Sequence, residues 1–267
     1  MTEEQKLRKV REYWDRHLNC TQFLARSPVG DPEPGSEKFF AALEQVFEQY
    51  PYKDRLFQEL ASLVGGEKRL LEIGCGLGIE LGKLARLGFE VTGVDLAPNA
   101  VAMANRYLQQ RSISGLTQVG NAEALDFPDE CFDAVYSSGV LHHTPDIEGA
   151  IGEIWRVLRP KGRILIVLYH RRSWFYILHR FSNVNVEFDD SDAPVINAYT
   201  EQELRSLFGR FESLTVEFEY YRPNPTQRRG FMAGCYNHIF VPIMRATPRR
   251  FAQRFGWHAV LTGTKKC

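Results

Sequence analysis

The stretch Leu70-Leu71-Glu72-Ile73-Gly74-Cys75-Gly76-Leu77-Gly78 is an apolar run that ends in three alternating glycines, and residues 79–87 continue it with helical spacing of Ile79, Leu81, Leu84 and Leu87. That order predicts a strand, a tight turn and a helix. The glycines suit a turn whose backbone comes close to a bound group, because a Cβ there would hold an adenosine moiety away. A second unit, Phe89-Glu90-Val91-Thr92-Gly93-Val94-Asp95, is another strand. It ends in a carboxylate about 20 residues beyond the turn, where a ribose diol lies in a doubly wound sheet. Two features at that separation predict a nucleotide site at the carboxyl ends of parallel strands.

The glycine spacing then separates two kinds of nucleotide. A dinucleotide fingerprint runs G-x-G-x-x-G, but here the glycines stand at 74, 76 and 78, and Ile79 takes the place of the third dinucleotide glycine. No tyrosine is followed four residues later by lysine, so the catalytic pair of one large dehydrogenase group is missing. The pattern h-h-E-h-G-x-G-x-G, with Glu72 just ahead of the turn, resembles motif I of the class I S-adenosylmethionine-dependent methyltransferases. Three later stretches extend the resemblance in order. They are Asn121-Ala122-Glu123 after a short third strand, Cys131-Phe132-Asp133-Ala134-Val135-Tyr136-Ser137 as a fourth strand, and Glu153-Ile154-Trp155-Arg156-Val157-Leu158-Arg159-Pro160-Lys161-Gly162 before a fifth. The resemblance covers about residues 70–169. It implies an α/β, Rossmann-like, doubly wound, seven-stranded and mostly parallel sheet, with an antiparallel C-terminal pair at about Ser213–Tyr220 and Gly256–Lys265.

S-adenosyl-L-methionine is the cofactor that the resemblance implies. Carried onto this chain, the family's cofactor contacts fall at Glu72, Gly74, Cys75, Gly76 and Gly78 in the turn, at Asp95 and Leu96 for the ribose, at Asn121, Ala122 and Glu123 for the adenine, and at Ser137 beside the methyl donor. Three positions depart from the family's pattern. Ala97 stands where Ser or Thr is common, so the helix from Pro98 to about Gln110 lacks a side-chain cap worth about 1 kcal/mol. Asn121 stands where an acidic residue is more usual; its amide oxygen can still accept from the adenine amino group, without charge assistance. Lys161 replaces a glycine.

Methyl transfer from a sulfonium is an in-line displacement, so the protein mainly aligns nucleophile, methyl carbon and leaving sulfur. A base is needed only for an acceptor that arrives protonated, and histidine suits that task near neutral pH. His142 and His143 after the fourth strand, and His170 after the fifth, are the candidate catalytic residues. The plain alternative is that these rings pack or bond within the start of a helix. Tyr13 and Trp14 in a lid, Tyr169 as a wall, and Arg228 and Arg229 as a clamp are the candidate substrate contacts. No metal is called for, because the spacing of His142, His143, Asp146 and His170 does not demand one, and cysteines 20, 75, 131, 235 and 267 form no C-x-x-C pair.

In organisation, residues 1–66 read as an N-terminal helical cap. A first helix runs to about residue 26 with a Leu7, Val10, Trp14, Leu18 stripe, and a proline-rich loop follows over 27–35. A second helix at 36–49 has an aromatic stripe that reads as core, and a third spans 53–64. Residues 67–267 are the core, with a substrate-side insertion at about 170–200 containing Trp174-Phe175-Tyr176 and a basic insertion at about 222–256. The formal charge of zero supplies no field that would steer the chain to nucleic acid, and Ser137-Ser138-Gly139-Val140 replaces the N/D-P-P-F/Y motif of base methylation. The expected function is methylation of a small-molecule acceptor at O, N or C. The alternatives are a lipid-soluble, quinone-like acceptor reached by peripheral membrane contact, or a cofactor-binding protein without transfer activity. No Asp or Glu follows Glu219, and the Arg-rich end reads either as an acceptor clamp or as an interfacial segment; Pro242 and Pro248 favour the clamp. A charged N-terminus and the lack of a run of roughly 20 apolar residues lead us to expect a cytoplasmic location.

Overall fold

Three apolar runs, in residues 70–73, 132–137 and 164–168, become the central strands of one sheet, buried on both faces as parallel strands should be. The computed structural model describes residues 2–17, 32–48, 50–65, 67–177, 193–220 and 234–267. Strands β1 (Arg69–Ile73), β2 (Glu90–Asp95), β3 (Leu116–Val119), β4 (Phe132–Ser138) and β5 (Leu158–Tyr169) pair in parallel. Strands β6 (Glu212–Glu219) and β7 (His258–Thr264) add an antiparallel edge, giving the order β3-β2-β1-β4-β5-β7-β6. The order reverses between β1 and β4, and a crevice opens beyond the carboxyl ends of those strands.

Alternation along β1 divides the core into two layers. Leu70 joins α2 (Glu37–Phe47), α3 (Pro51–Leu63), α4 (Ile79–Arg86) and α5 (Pro98–Gln110) on one face. Leu71 and Ile73 join α6 (Ile147–Val157) and α7 (Glu201–Leu207) on the other. The aromatic stripe of α2 lies in the first layer, where Phe39, Phe40 and Leu43 are buried and the Phe40 ring lies 5.2 Å from that of Tyr107 in α5. Ser36 caps α2, and Thr200 with Glu203 forms the capping box of α7 that the sequence predicts.

Two of the boundaries that differ from the sequence reading have a local cause. Helix α6 begins at Ile147 rather than at Pro145, because the Asp146 side chain accepts from Gly149 N at 2.9 Å and so caps the helix there. Strand β5 begins at Leu158, which pairs with Phe132 before the register shifts. Inside that irregular stretch Lys161 holds φ +65, the left-handed conformation that explains why a glycine is usual there, and its N–H bonds Lys265 O at 3.0 Å. Helix α1 (Glu3–Arg16) opens on a Thr2 capping box; Leu18 and most of the loop after it lie outside the described residues.

Candidate active site

A cleft of about 810 Å3, mouth included, lies beyond the carboxyl ends of β1, β2 and β4 and is covered by α1. Its floor is the glycine turn. Gly74, Gly76 and Gly78 all have positive φ, at 76°, 50° and 80°. Only Gly76 has open space where a Cβ would stand; a Cβ on Gly74 would overlap Val140, and one on Gly78 would come within 3.1 Å of Ala104 in α5. Gly76 N donates to Asp95 Oδ2 and Ala97 N to Asp95 Oδ1, both at 2.9 Å. Burial raises the Asp95 carboxyl above its usual range, against the lowering effect of these N–H bonds. The aspartate is thus aimed by the turn that it closes. Ile73, Leu77, Val94 and Ala100 make the walls apolar, and Leu96, Asn121 and Ala122 stand at the far end. A bare backbone beside an oriented carboxylate, between apolar walls, fits an adenosyl group.

Helix α1 supplies the roof, with Leu7, Val10, Trp14 and His17 facing the cleft. It is latched to α5. Asn99 N donates to Asp15 Oδ1 at 2.8 Å, and Asn99 Nδ2 donates to Asp15 O at 3.1 Å. Ala97, the N-cap of α5, has no side-chain bond to give. The side-chain cap missing at Ala97 therefore comes from the roof, 84 residues away in the chain.

On the β4 side, His143 lines the cleft and its ring meets Trp14 edge-on at 4.9 Å. His143 Nδ1 lies 2.6 Å from Val195 O. A carbonyl only accepts, so that bond places a proton on Nδ1, and the neutral ring then carries its lone pair on Nε2. His142 is fully buried beside His143, with its ring 3.6 Å from that of Tyr169. Burial, with His143 and His258 nearby, pushes its pKa well below the ordinary imidazole value. Tyr169 stacks on Trp257 at 4.1 Å.

Other candidate residues stand behind the cleft wall. Glu72 is buried on the α3 side, and burial, then the Glu80 charge, pushes its carboxyl well up against the pull of Lys53. Lys53 Nζ bonds Glu80 Oε1 at 2.6 Å and Ser138 Oγ at 3.0 Å, and Tyr136 OH donates to Glu80 Oε2 at 3.0 Å. This buried network ties α3 and α4 to β4. Cys75 packs against Gly93, its thiol pushed up by burial. Ser137 Oγ donates to Ile73 O at 2.9 Å, stitching β4 to β1, and Glu123 Oε1 accepts from Asp146 N at the start of α6. Asn121 Oδ1 accepts from Glu123 N at 3.1 Å within its own turn. Tyr13 is buried against Trp14 and His17. His170 sits apart from the cleft lining, its Nδ1 3.1 Å from Gly256 O and its ring stacked on Phe218. Arg228 and Arg229 lie outside the described residues.

The sequence reading did not single out Gly120, Gly139, Val140, Thr144 or His17, all of which line the cleft. Gly139 has φ +74 with open space before it, the same signature as Gly76, and its place just after a predicted strand was the available signal.

Residues 71–166 match a family described as a methyltransferase domain. The ubiquinone biosynthesis O-methyltransferase of Paramagnetospirillum magneticum is 39% identical over 107 residues, 39% of this chain and 43% of that protein. A sterol 24-C-methyltransferase of Neurospora crassa is 32% identical over 176 residues, 64% of this chain and 40% of that protein. The chain spans about two fifths of the length of these curated relatives. In fold it is similar to a chain in the solved complex between the Haloferax volcanii Trm112 methyltransferase activator and a methyltransferase, with TM-score 0.63 and 16% identity over 97% of this chain and 98% of that one.

Proposed function

We propose, on the premise that this chain carries a class I S-adenosylmethionine-dependent methyltransferase domain, that it transfers a methyl group to a small-molecule acceptor admitted beside His143. One observation carries the reading: a histidine held as the Nδ1–H tautomer by Val195 O lines the same cleft that Gly76 and Asp95 floor. When bound, S-adenosyl-L-methionine supplies an electrophilic methyl carbon on a charged sulfur. Asp95 would take the ribose hydroxyls, with its two oxygens already oriented by Gly76 N and Ala97 N. Leu96, Asn121 and Ala122 would border the adenine. Helix α1 excludes water from above. His143 Nε2 is the basic nitrogen that would take the proton of a hydroxyl or ammonium acceptor, and the Val195 bond keeps its ring from turning.

The named relatives act in ubiquinone biosynthesis and on sterols, which favours an apolar acceptor, and the Trp14 ring in the cleft lining suits one. A tritiated-methyl transfer assay over phenols, enols, amines and sterols tests the proposal. Label is expected in an apolar acceptor with a single nucleophilic atom. Failure to label any class, by protein that binds S-adenosylhomocysteine, would contradict it.

A further inference from the structure

Five of the eight large apolar side chains left exposed among the described residues come from the two segments at the site end of the sheet: Ile177, Ile239, Ile243, Phe251 and Phe255. Ile239 and Ile243 are 58% and 59% exposed, Phe251 and Phe255 each 49%. Each pair is four residues apart in helical backbone and so shares a face. Arg245, Arg250 and Arg254 are exposed among them, and Arg249, also exposed, lies 3.6 Å from Glu219 Oε2. From beneath, buried Val241 and Ala252 anchor the segment, and Tyr220 OH donates to Met244 O at 3.0 Å.

Topology decides where this face lies. The segment joins Glu219, which ends β6, to His258, which begins β7, and His258 pairs with Tyr169 at the end of β5. The face therefore stands on the rim of the cleft's end of the sheet. A continuous series of ring contacts leads inward from it: Phe240 to Trp174 at 5.5 Å, Trp174 to Phe175 at 5.4 Å, Phe175 to Trp257 at 5.1 Å, Trp257 to Tyr169 at 4.1 Å, and Tyr169 to His142 at 3.6 Å.

We infer that the face of residues 236–255 docks on an anionic lipid surface, and that the acceptor is a lipid-soluble molecule drawn from that surface. The second half rests on the methyl-transfer reading and the first does not. Apolar tips edged by cations, with no acidic residue after Glu219, match the chemistry of an anionic bilayer interface: acyl chains beneath, phosphates around them. A second copy of this chain fits poorly, because a two-fold pairing would set the arginines against one another. Pro248 ends one helical stretch, but Pro242 does not break the segment as its sequence predicts: helical backbone runs from residue 234 to residue 246, and Ile239 and Ile243 on it are exposed.

Flotation of the 267-residue chain with vesicles of phosphatidylcholine alone, or with phosphatidylglycerol added, tests the docking. Binding is expected only to the anionic vesicles, falling with salt. Arg245→Gln, Arg250→Gln or Arg254→Gln should weaken it about fivefold each, and Ile239→Ser, Ile243→Ser, Phe251→Ser and Phe255→Ser together should abolish it. Calorimetry with S-adenosylhomocysteine on the same variants, expected to be unchanged, separates the two claims. Cofactor binding without vesicle binding overturns the docking; vesicle binding without cofactor binding supports docking and overturns the methyl-transfer reading. Equal binding to neutral vesicles, or a dimer in sedimentation that the serine variant abolishes, also overturns the docking.

Discussion

Gly74 and Gly76 share the left-handed backbone of the turn, but a Cβ on the first overlaps Val140 while a Cβ on the second enters open space. Both alanine variants carry the same conformational strain of roughly 1–2 kcal/mol. Gly74→Ala is expected to lose a further ~1–3 kcal/mol to overpacking, read by urea unfolding and partly restored by Val140→Ala. Gly76→Ala should show only the strain, yet lose S-adenosylhomocysteine affinity at least tenfold; equal effects of the two variants on folding and binding would contradict the assignment. The sequence made these glycines legible as one turn. It could not separate their duties, because Val140 and Ala104 arrive from distant elements. The same holds for the histidines. Their place after β4 and β5 was readable, but not that Val195 would orient His143 or that Gly256 and Phe218 would occupy His170. His143→Gln is expected to lower kcat by about 100-fold or more for a hydroxyl or ammonium acceptor with cofactor affinity unchanged, and an unchanged kcat would remove it as the base.

Helix α1 and helix α5 meet through Asp15, which caps α5 where Ala97 cannot. Asp15→Ala is therefore expected to cost about 1 kcal/mol of stability and also to loosen the roof, so that S-adenosylhomocysteine dissociates faster in stopped-flow. Adding Ala97→Ser in the same chain supplies a local cap. The melting temperature should recover while the fast dissociation remains. Recovery of both would mean that the latch acts only through α5. Of this arrangement the sequence showed the apolar stripe of α1 and the missing cap at 97, each by local spacing. Their connection spans 84 residues and leaves no periodic trace. Strands β1 and β4 were legible nearly to their ends because burial on both faces makes them near-continuous apolar runs. Helix α6 and strand β5 start elsewhere than local spacing predicts, because the Asp146 side chain caps the first and an irregular stretch around left-handed Lys161 separates Leu158 from the regular pairing of the second.

At the scale of the whole molecule, the β5–β7 end of the sheet holds imidazoles that folding keeps neutral. Burial, then the Lys53 charge, pushes the His258 pKa to about 3, and Tyr52 OH lies 3.1 Å from its Nδ1. The unfolded chain takes up that proton near pH 6.5 and the native chain does not, so this group's stabilisation is complete above about pH 6.5 and declines as the pH falls toward 3. The slope is up to about 1.4 kcal/mol per pH unit. Glu72, raised in the native state, contributes with the opposite sign, its stabilisation being lost as pH rises above the ordinary carboxylate range. A difference measurement separates the two: His258→Gln should flatten urea-derived stability between pH 6.5 and 5 relative to the parent, and parallel profiles would show that His258 is not kept neutral. All of this surrounds one claim, that the cleft under α1 is built for an adenosyl cofactor whose ribose Asp95 holds. Isothermal titration with S-adenosylhomocysteine and with NAD, on the parent chain and on Asp95→Ala, tests it most directly. The account predicts micromolar binding of S-adenosylhomocysteine, no heat with NAD, and a loss of about 1.5–3 kcal/mol in the variant; unchanged affinity in a folded Asp95→Ala protein, or no binding by the parent, would contradict it.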